Sequence, residues 1–154
     1  MFGRILMPVD GSAVSQGALS VAAQLAEALH SETRIIYVLD LGPLYQTEAS
    51  GIDVSGVEKV MLDDGQKLLD RAEAIARSAG VAGESALLTI YGTRIVDAIV
   101  DDADKWHADL IALGTHGRHG LRRLLLGSVA DGVARAASVP VLLVRGTTAG
   151  RPAS

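Results

Sequence analysis

Apolar residues follow two alternating patterns along the chain, short continuous runs and a helical repeat. The runs predict five buried strands, and residues spaced three or four apart between them predict four amphipathic helices. The polar stretch "DLGPLYQTEASGIDVSG" is predicted to be an irregular connection. The predicted strands cover residues 4–9, 33–39, 84–91, 108–114 and 139–145, and the predicted helices cover residues 12–30, 57–79, 94–106 and 128–137.

Two helix ends carry local signals of their own. Gly80 follows the second helical pattern, where a glycine commonly ends a helix. Thr93 precedes the third pattern, where a threonine hydroxyl can cap the first free amides. We therefore expect the second helix to end just before Gly80 and the third to be capped by Thr93.

The alternation of strands and helices predicts an α/β fold, with one open parallel five-stranded sheet and helices on both faces. Two strand ends carry unusual residues, "PVDG" after the first strand and "GTHG" after the fourth. If these two strands are neighbours, the strand order is 3-2-1-4-5, a Rossmann-like arrangement. Ligands then bind in the crevice between them, where the strand order reverses.

Composition narrows the function classes. The chain of 154 residues suits one domain, with a formal net charge of -4 and a sequence pI near 5.5. That charge argues against a general nucleic-acid binder, which is normally basic. The absence of cysteine excludes disulfides and thiolate sites, and no apolar run approaches the ~20 residues of a membrane span. We expect a cytoplasmic domain over residues 1–146, with a disordered tail over residues 147–154.

A glycine-rich, basic loop separates the fourth strand from the last helix. It contains four glycines and three arginines, but neither the Walker A spacing nor G-x-G-x-x-G. Glycines allow backbone amides to approach a ligand closely, and a helix that begins at Gly127-Ser128 presents free amides to an anion. The loop therefore suits phosphate, although a simple link with solvated arginines remains the alternative.

The spacing of these glycines is more specific than their number. Gly114-x2-Gly117-x9-Gly127-Ser128 resembles the G-2x-G-9x-G-(S/T) signature of the universal stress protein family. The opening "RILMPVDGS" and the strand end "YVLD" resemble two further family landmarks, so the resemblance spans nearly the whole chain. It implies an ATP-binding-type α/β fold, the nucleotide-binding subgroup and a homodimer.

The resemblance also implies a role for each matching residue. The Val38 backbone would hydrogen-bond the edge of an adenine, and Asp10 would bind ribose hydroxyls or a hydrated metal ion. The ligand would be ATP, ADP or AMP, with or without Mg²⁺. The other residues would line the adenine pocket (Pro8 and Val9), surround ribose and phosphate (Gly114, Thr115, His116, Gly117 and Arg118) and bind the phosphates from the helix end (Gly127, Ser128, Val129 and Ala130).

Several of these residues have simpler interpretations. Asp10 and Ser128 could each cap the helix that follows. His116 and His119 could suggest a metal, but they have no nearby cysteine or carboxylate, so we expect loop histidines and no metal site. The remaining polar or aromatic candidates are assigned to the solvent-exposed faces of helices (Asp63, Asp64, Asp101, Asp102, Asp104 and Lys105) or to packing at a helix end (Trp106).

The last strand, at residues 139–145, would lie at an edge of the sheet, which is a pairing hazard unless it is covered. Antiparallel pairing with a second copy would give a two-fold dimer, whereas a C-terminal tail folded over the edge would leave a monomer. The sequence shows no P-loop lysine and no evident general base. We therefore expect a regulatory nucleotide-binding protein, with a slow ATP hydrolase or an interaction module with an unoccupied pocket as alternatives.

Overall fold

The computed structural model describes residues 1–115 and 126–145. Within them the chain forms five strands and five helices. The element bounds, in chain order, are β1 Arg4–Pro8, α1 Ala13–Leu29, β2 Glu32–Asp40, α2 Gly42–Ala49, α3 Ser55–Ser78, β3 Glu84–Ile90, α4 Ile95–Trp106, β4 Leu110–Gly114, α5 Ser128–Ala136 and β5 Val141–Val144.

The strands form one parallel sheet in the order β3-β2-β1-β4-β5, which confirms the predicted order. Successive side chains of β1 point to opposite faces because the side-chain period of a strand is two. Ile5 and Met7 pack with α1 and α3, whereas Leu6 packs with α4 and α5. The sheet is therefore buried on both faces, which explains its nearly continuous apolar strands.

The helix α2 was not expected. Residues 40–56 are predicted as a connection, but Gly42–Ala49 is helical, with a proline in its first turn. Gly42 is the only buried residue of this helix. Tyr45 contacts Tyr91 edge to face, with ring centroids 5.2 Å apart. Because the helix buries no apolar face, hydrophobic periodicity gave no signal for it.

Helix ends were predicted with mixed success. Gly80 has φ +85° just beyond the end of α3, and its amide donates to the carbonyl of Arg77 at 2.9 Å, as expected of a terminating glycine. The expectation for Thr93 is wrong. Arg94 occupies the N-cap of α4, and no side chain hydrogen-bonds the free amides there.

The acidic face assigned to the third predicted helix is also partly wrong. Asp102 is buried, and its two carboxylate oxygens accept from the guanidinium of Arg34 at 2.8 and 3.0 Å. Asp101 and Asp104 are exposed, as expected. Trp106 packs at the helix end, where the guanidinium of Arg4 lies 4.8 Å from the ring centroid.

The strand β5 lies at the edge of the sheet, where it pairs only with β4. It is shorter than predicted, because Pro140 precedes the first ladder residue. The predicted tail, residues 147–154, lies outside the described residues. In the part of the chain that the structure describes, no helix is both long and apolar enough to cross a membrane.

Candidate functional site

The candidate site lies at the carboxyl edge of the sheet between β1 and β4, the position that we call the crevice. These strands are neighbours, yet β1 leads into α1 on one face while β4 leads toward α5 on the other. The two connections therefore diverge, as they do at the ligand sites of open α/β sheets. Most residues implicated by the sequence are brought together at this one edge.

The turn from β1 into α1 holds Asp10. Its Oδ1 accepts from the amide of Ser12 at 2.9 Å, and its own amide donates to the Ser15 hydroxyl at 3.1 Å. The Ser12 hydroxyl caps α1 by accepting from the amide of Ser15 at 3.1 Å. Ser12, not Asp10, is therefore the capping residue, and Asp10 instead shapes the turn. Pro8 and Val9 lead into this turn and are half-buried.

The backbone edge of Val38 faces the same crevice. The Val9 amide donates to the Ile36 carbonyl at 2.9 Å, so the backbone groups of Ile36 point toward β1. Backbone groups two residues apart in a strand point the same way. The N–H and C=O of Val38 therefore point past the end of β1 at Pro8, and the described residues give them no hydrogen-bond partner on that side.

Two backbone hydrogen bonds fix the chain just after β4, one to β5 and one to the start of α5. The Thr115 amide donates to Val144 of β5 at 3.0 Å, and the Gly127 amide donates to the Thr115 carbonyl at 2.7 Å. Gly114 ends β4, and Thr115 is buried directly after it. The chain thus leaves the sheet at Thr115 and returns beside it, which places the first turn of α5 at the crevice.

The first turn of α5 has no side-chain cap. Gly127 is the N-cap, with φ -58° and ψ 152°, and Ser128 is the first helical residue. The simpler alternative, in which Ser128 caps its own helix, is therefore excluded. Three amides of this turn are left without a side-chain acceptor among the described residues. They belong to Ser128, Val129 and Ala130. Such amides and the helix dipole favour an anion.

The remaining predicted residues, His116, Gly117 and Arg118, lie outside the described residues, as does His119. In the described ranges, no three histidine or carboxylate side chains are placed to hold a metal ion. Sequence reasoning overlooked Ser12 and Ser15, which fix the turn around Asp10. The "DGS" of the first landmark was a usable signal for Ser12, whereas nothing local marks Ser15, whose burial arises from packing.

Comparisons with known proteins identify the family of this chain. The family model described as "Universal stress protein family" matches residues 1–145. A universal stress protein of Methanocaldococcus jannaschii is 35% identical over 145 residues, which cover 94% of this chain and 83% of that relative.

Two solved structures are also similar. One is a universal stress protein in complex with cAMP, with a TM-score of 0.68, 27% identity and coverage of 95% of this chain and 98% of that one. The other is a universal stress protein of Archaeoglobus fulgidus in complex with dAMP, with a TM-score of 0.67, 26% identity and coverage of 93% and 97%. The chain therefore belongs to the universal stress protein family.

Proposed function

We propose that this protein binds an adenine nucleotide (ATP, ADP or AMP) in the crevice between β1 and β4 and acts as a regulator whose nucleotide occupancy is sensed by a partner. The uncapped first turn of α5, attached to the end of β4 through the Thr115–Gly127 hydrogen bond, carries this proposal. The adenine nucleotides bound by the two related proteins of known structure support it.

The base would be read by the free edge of Val38. An adenine presents an amino donor beside a ring-nitrogen acceptor, which matches one backbone carbonyl and one backbone amide. Guanine carries an acceptor oxygen in place of the amino group, so it would leave the Val38 carbonyl facing another acceptor. Pro8 and Val9 would supply the apolar surface against the base. This arrangement selects adenine through the backbone, without a charged side chain.

The sugar and phosphates would lie between the two connections. Asp10 would accept from ribose hydroxyls or hold a hydrated Mg²⁺ against the phosphates. The amides of Ser128, Val129 and Ala130, after Gly127, would bind phosphate oxygens in the way that helix N-termini bind anions. Gly114 and Thr115 would border the ribose, and His116, Gly117 and Arg118 would close the site from the loop.

Calorimetry with ATP, ADP and AMP tests this function, and Gly127→Val tests the site. Gly127 has an extended backbone that valine also adopts, so the variant should fold. Its side chain would occupy the space of a phosphate, and we expect binding to fall by at least about 100-fold, because the amide–phosphate hydrogen bonds are lost together.

The matched control is Gly56→Val, where an added Cβ meets nothing within 4 Å. This variant should bind nucleotide like the wild type. A wild-type protein without measurable affinity for any adenine nucleotide would contradict the proposed function. Unchanged ATP binding by Gly127→Val would contradict the placement of the site. Sustained phosphate release with many turnovers would instead make the protein an ATP hydrolase.

A further inference from the structure

The end of β2 beyond Ile36 is supported on one side only. The pairing of β1 with β2 stops at Pro8 and Ile36, whereas the pairing of β2 with β3 continues to Asp40 and Ile90. Val38 lies in this overhanging segment, and the position of its free edge depends on whatever fixes the end of the strand. That edge is the group which would read the base.

The side chain of Asp40 fixes this end. Its Oδ1 accepts from the amide of Gly42 at the start of α2 at 2.8 Å, and from the amide of Gly92 after β3 at 3.0 Å. The Leu41 amide adds a hydrogen bond to the Ile90 carbonyl at 2.8 Å. One carboxylate oxygen therefore joins the end of β2, the first turn of α2 and the loop that leads to α4.

The backbones of Gly42 and Gly92, which both donate to Asp40, lie very close to each other. A Cβ added at Gly42 would lie 2.5 Å from the Gly92 nitrogen and 2.9 Å from its Cα. Gly92 itself has φ +87°, a conformation that favours glycine. The two backbones approach closely at this point, where both of their amides donate to the carboxylate of Asp40.

We infer that Asp40 is a positioning residue for nucleotide recognition, which sets the selectivity for adenine by holding the Val38 edge in register with the crevice. The inference rests on the proposed function. Asp40 acts through Val38 and the strand end, whereas the phosphates are bound separately at α5. Loss of Asp40 should therefore affect base recognition and leave phosphate binding unchanged.

The test measures the affinities for ATP, GTP and inorganic tripolyphosphate by calorimetry. In Asp40→Ala, two amides lose a charged acceptor, and we expect the preference for ATP over GTP to fall about tenfold. The affinity for tripolyphosphate, which has no base, should not change. An equal loss for all three ligands would show a general structural effect and overturn the inference.

Two conservative variants separate geometry from charge. Asp40→Asn keeps an acceptor oxygen in the same place and should retain the preference for ATP. Asp40→Glu keeps the charge but moves the carboxylate one methylene farther, and it should lose the preference as Asp40→Ala does. The Glu variant also provides the test if Asp40→Ala does not fold. If Asp40→Asn lost the preference for ATP and Asp40→Glu retained it, the inference would be overturned.

The matched control is Asp53→Ala. Asp53 accepts from the Ser55 amide at 3.0 Å and from the Ser55 hydroxyl at 2.8 Å, a comparable pair of bonds before α3. Its loss should leave the ATP preference intact. If the wild type binds no nucleotide, the proposed function itself fails. If the wild type prefers ATP over GTP and Asp40→Ala keeps that preference, only the inference about Asp40 fails. The same holds if the wild type binds ATP and GTP equally well.

Discussion

The guanidinium of Arg34 joins three elements at the end of the sheet opposite the crevice. It donates to Asp102 on α4 through two nitrogens and to Glu84 on β3 at 2.8 Å. The hydrogen bond that Arg34 donates to Asp102 is the main cause that raises the pKa of Arg34. An arginine is cationic at any working pH. The side chains of Arg34 and Asp102 are 16% and 11% exposed, which limits screening by water.

Removing one partner of this pair should therefore be costly. We expect Asp102→Ala to lower the free energy of unfolding by about 2 kcal/mol, less than for a fully buried pair because Glu84 still faces Arg34. The neighbouring Asp101 is exposed on the same helix, and Asp101→Ala should change stability by less than about 0.5 kcal/mol. Urea denaturation measures both variants, and equal effects would contradict the role of the pair.

At the scale of elements, the contact between α4 and α5 determines where the amides that are proposed to bind phosphate lie. Gly132 of α5 faces Val96 of α4, and an added Cβ would lie 2.6 Å from the Val96 Cγ2. A valine in a helix has one strongly preferred χ1 rotamer, so the Val96 side chain cannot rotate to make room for a new methyl group. The two helices therefore approach closely only because position 132 has no side chain, and the start of α5 is positioned by this packing.

A double-mutant cycle tests this contact. Gly132→Ala should destabilise the fold by about 1–3 kcal/mol through overpacking. Combined with Val96→Ala, which makes room for the new methyl group, it should cost about 1 kcal/mol less than the sum of the single variants. The control Gly56→Ala meets nothing within 4 Å and should stabilise the helix α3 by about 0.5–1 kcal/mol. Strict additivity in thermal melts would show that the helices do not touch there.

At the scale of the whole molecule, β5 is an edge strand, and no strand of the described residues pairs with its outer side. The Ile111 amide donates to Pro140, and the Thr115 amide donates to Val144, so every second residue of β5 points its backbone toward β4. The backbone groups of Val141 and Leu143 therefore point outward. We propose that this edge pairs with a second copy in an antiparallel manner, which would satisfy the outward backbone groups of β5.

This proposal predicts the oligomeric state of two variants. Leu143→Pro removes an outward amide without removing a hydrogen bond to β4, so we expect the dimer to dissociate into folded monomers. Leu143→Ala keeps the amide and should remain dimeric. Light scattering after size-exclusion chromatography distinguishes the two states. A monomeric wild type, or a Leu143→Pro variant that stays dimeric, would contradict pairing through this edge.

The local pattern alone determined the five strands and four of the five helices. A buried strand and an amphipathic helix each have a characteristic spacing of apolar residues, which can be recognised in the sequence. It also determined the end of α3, since a terminating glycine such as Gly80 depends only on neighbouring residues. The strand order followed from chemistry placed at two strand ends. Family resemblance, rather than spacing alone, singled out the Val38 backbone.

Only the tertiary structure decided the contacts between residues distant in the chain. It placed α2, which has no apolar face, and it buried Asp102 against Arg34, 68 positions away. It also brought the carboxylate of Asp40 onto the amide of Gly92. A periodic pattern states which side of an element is buried, but which partner meets that side depends on how the elements pack.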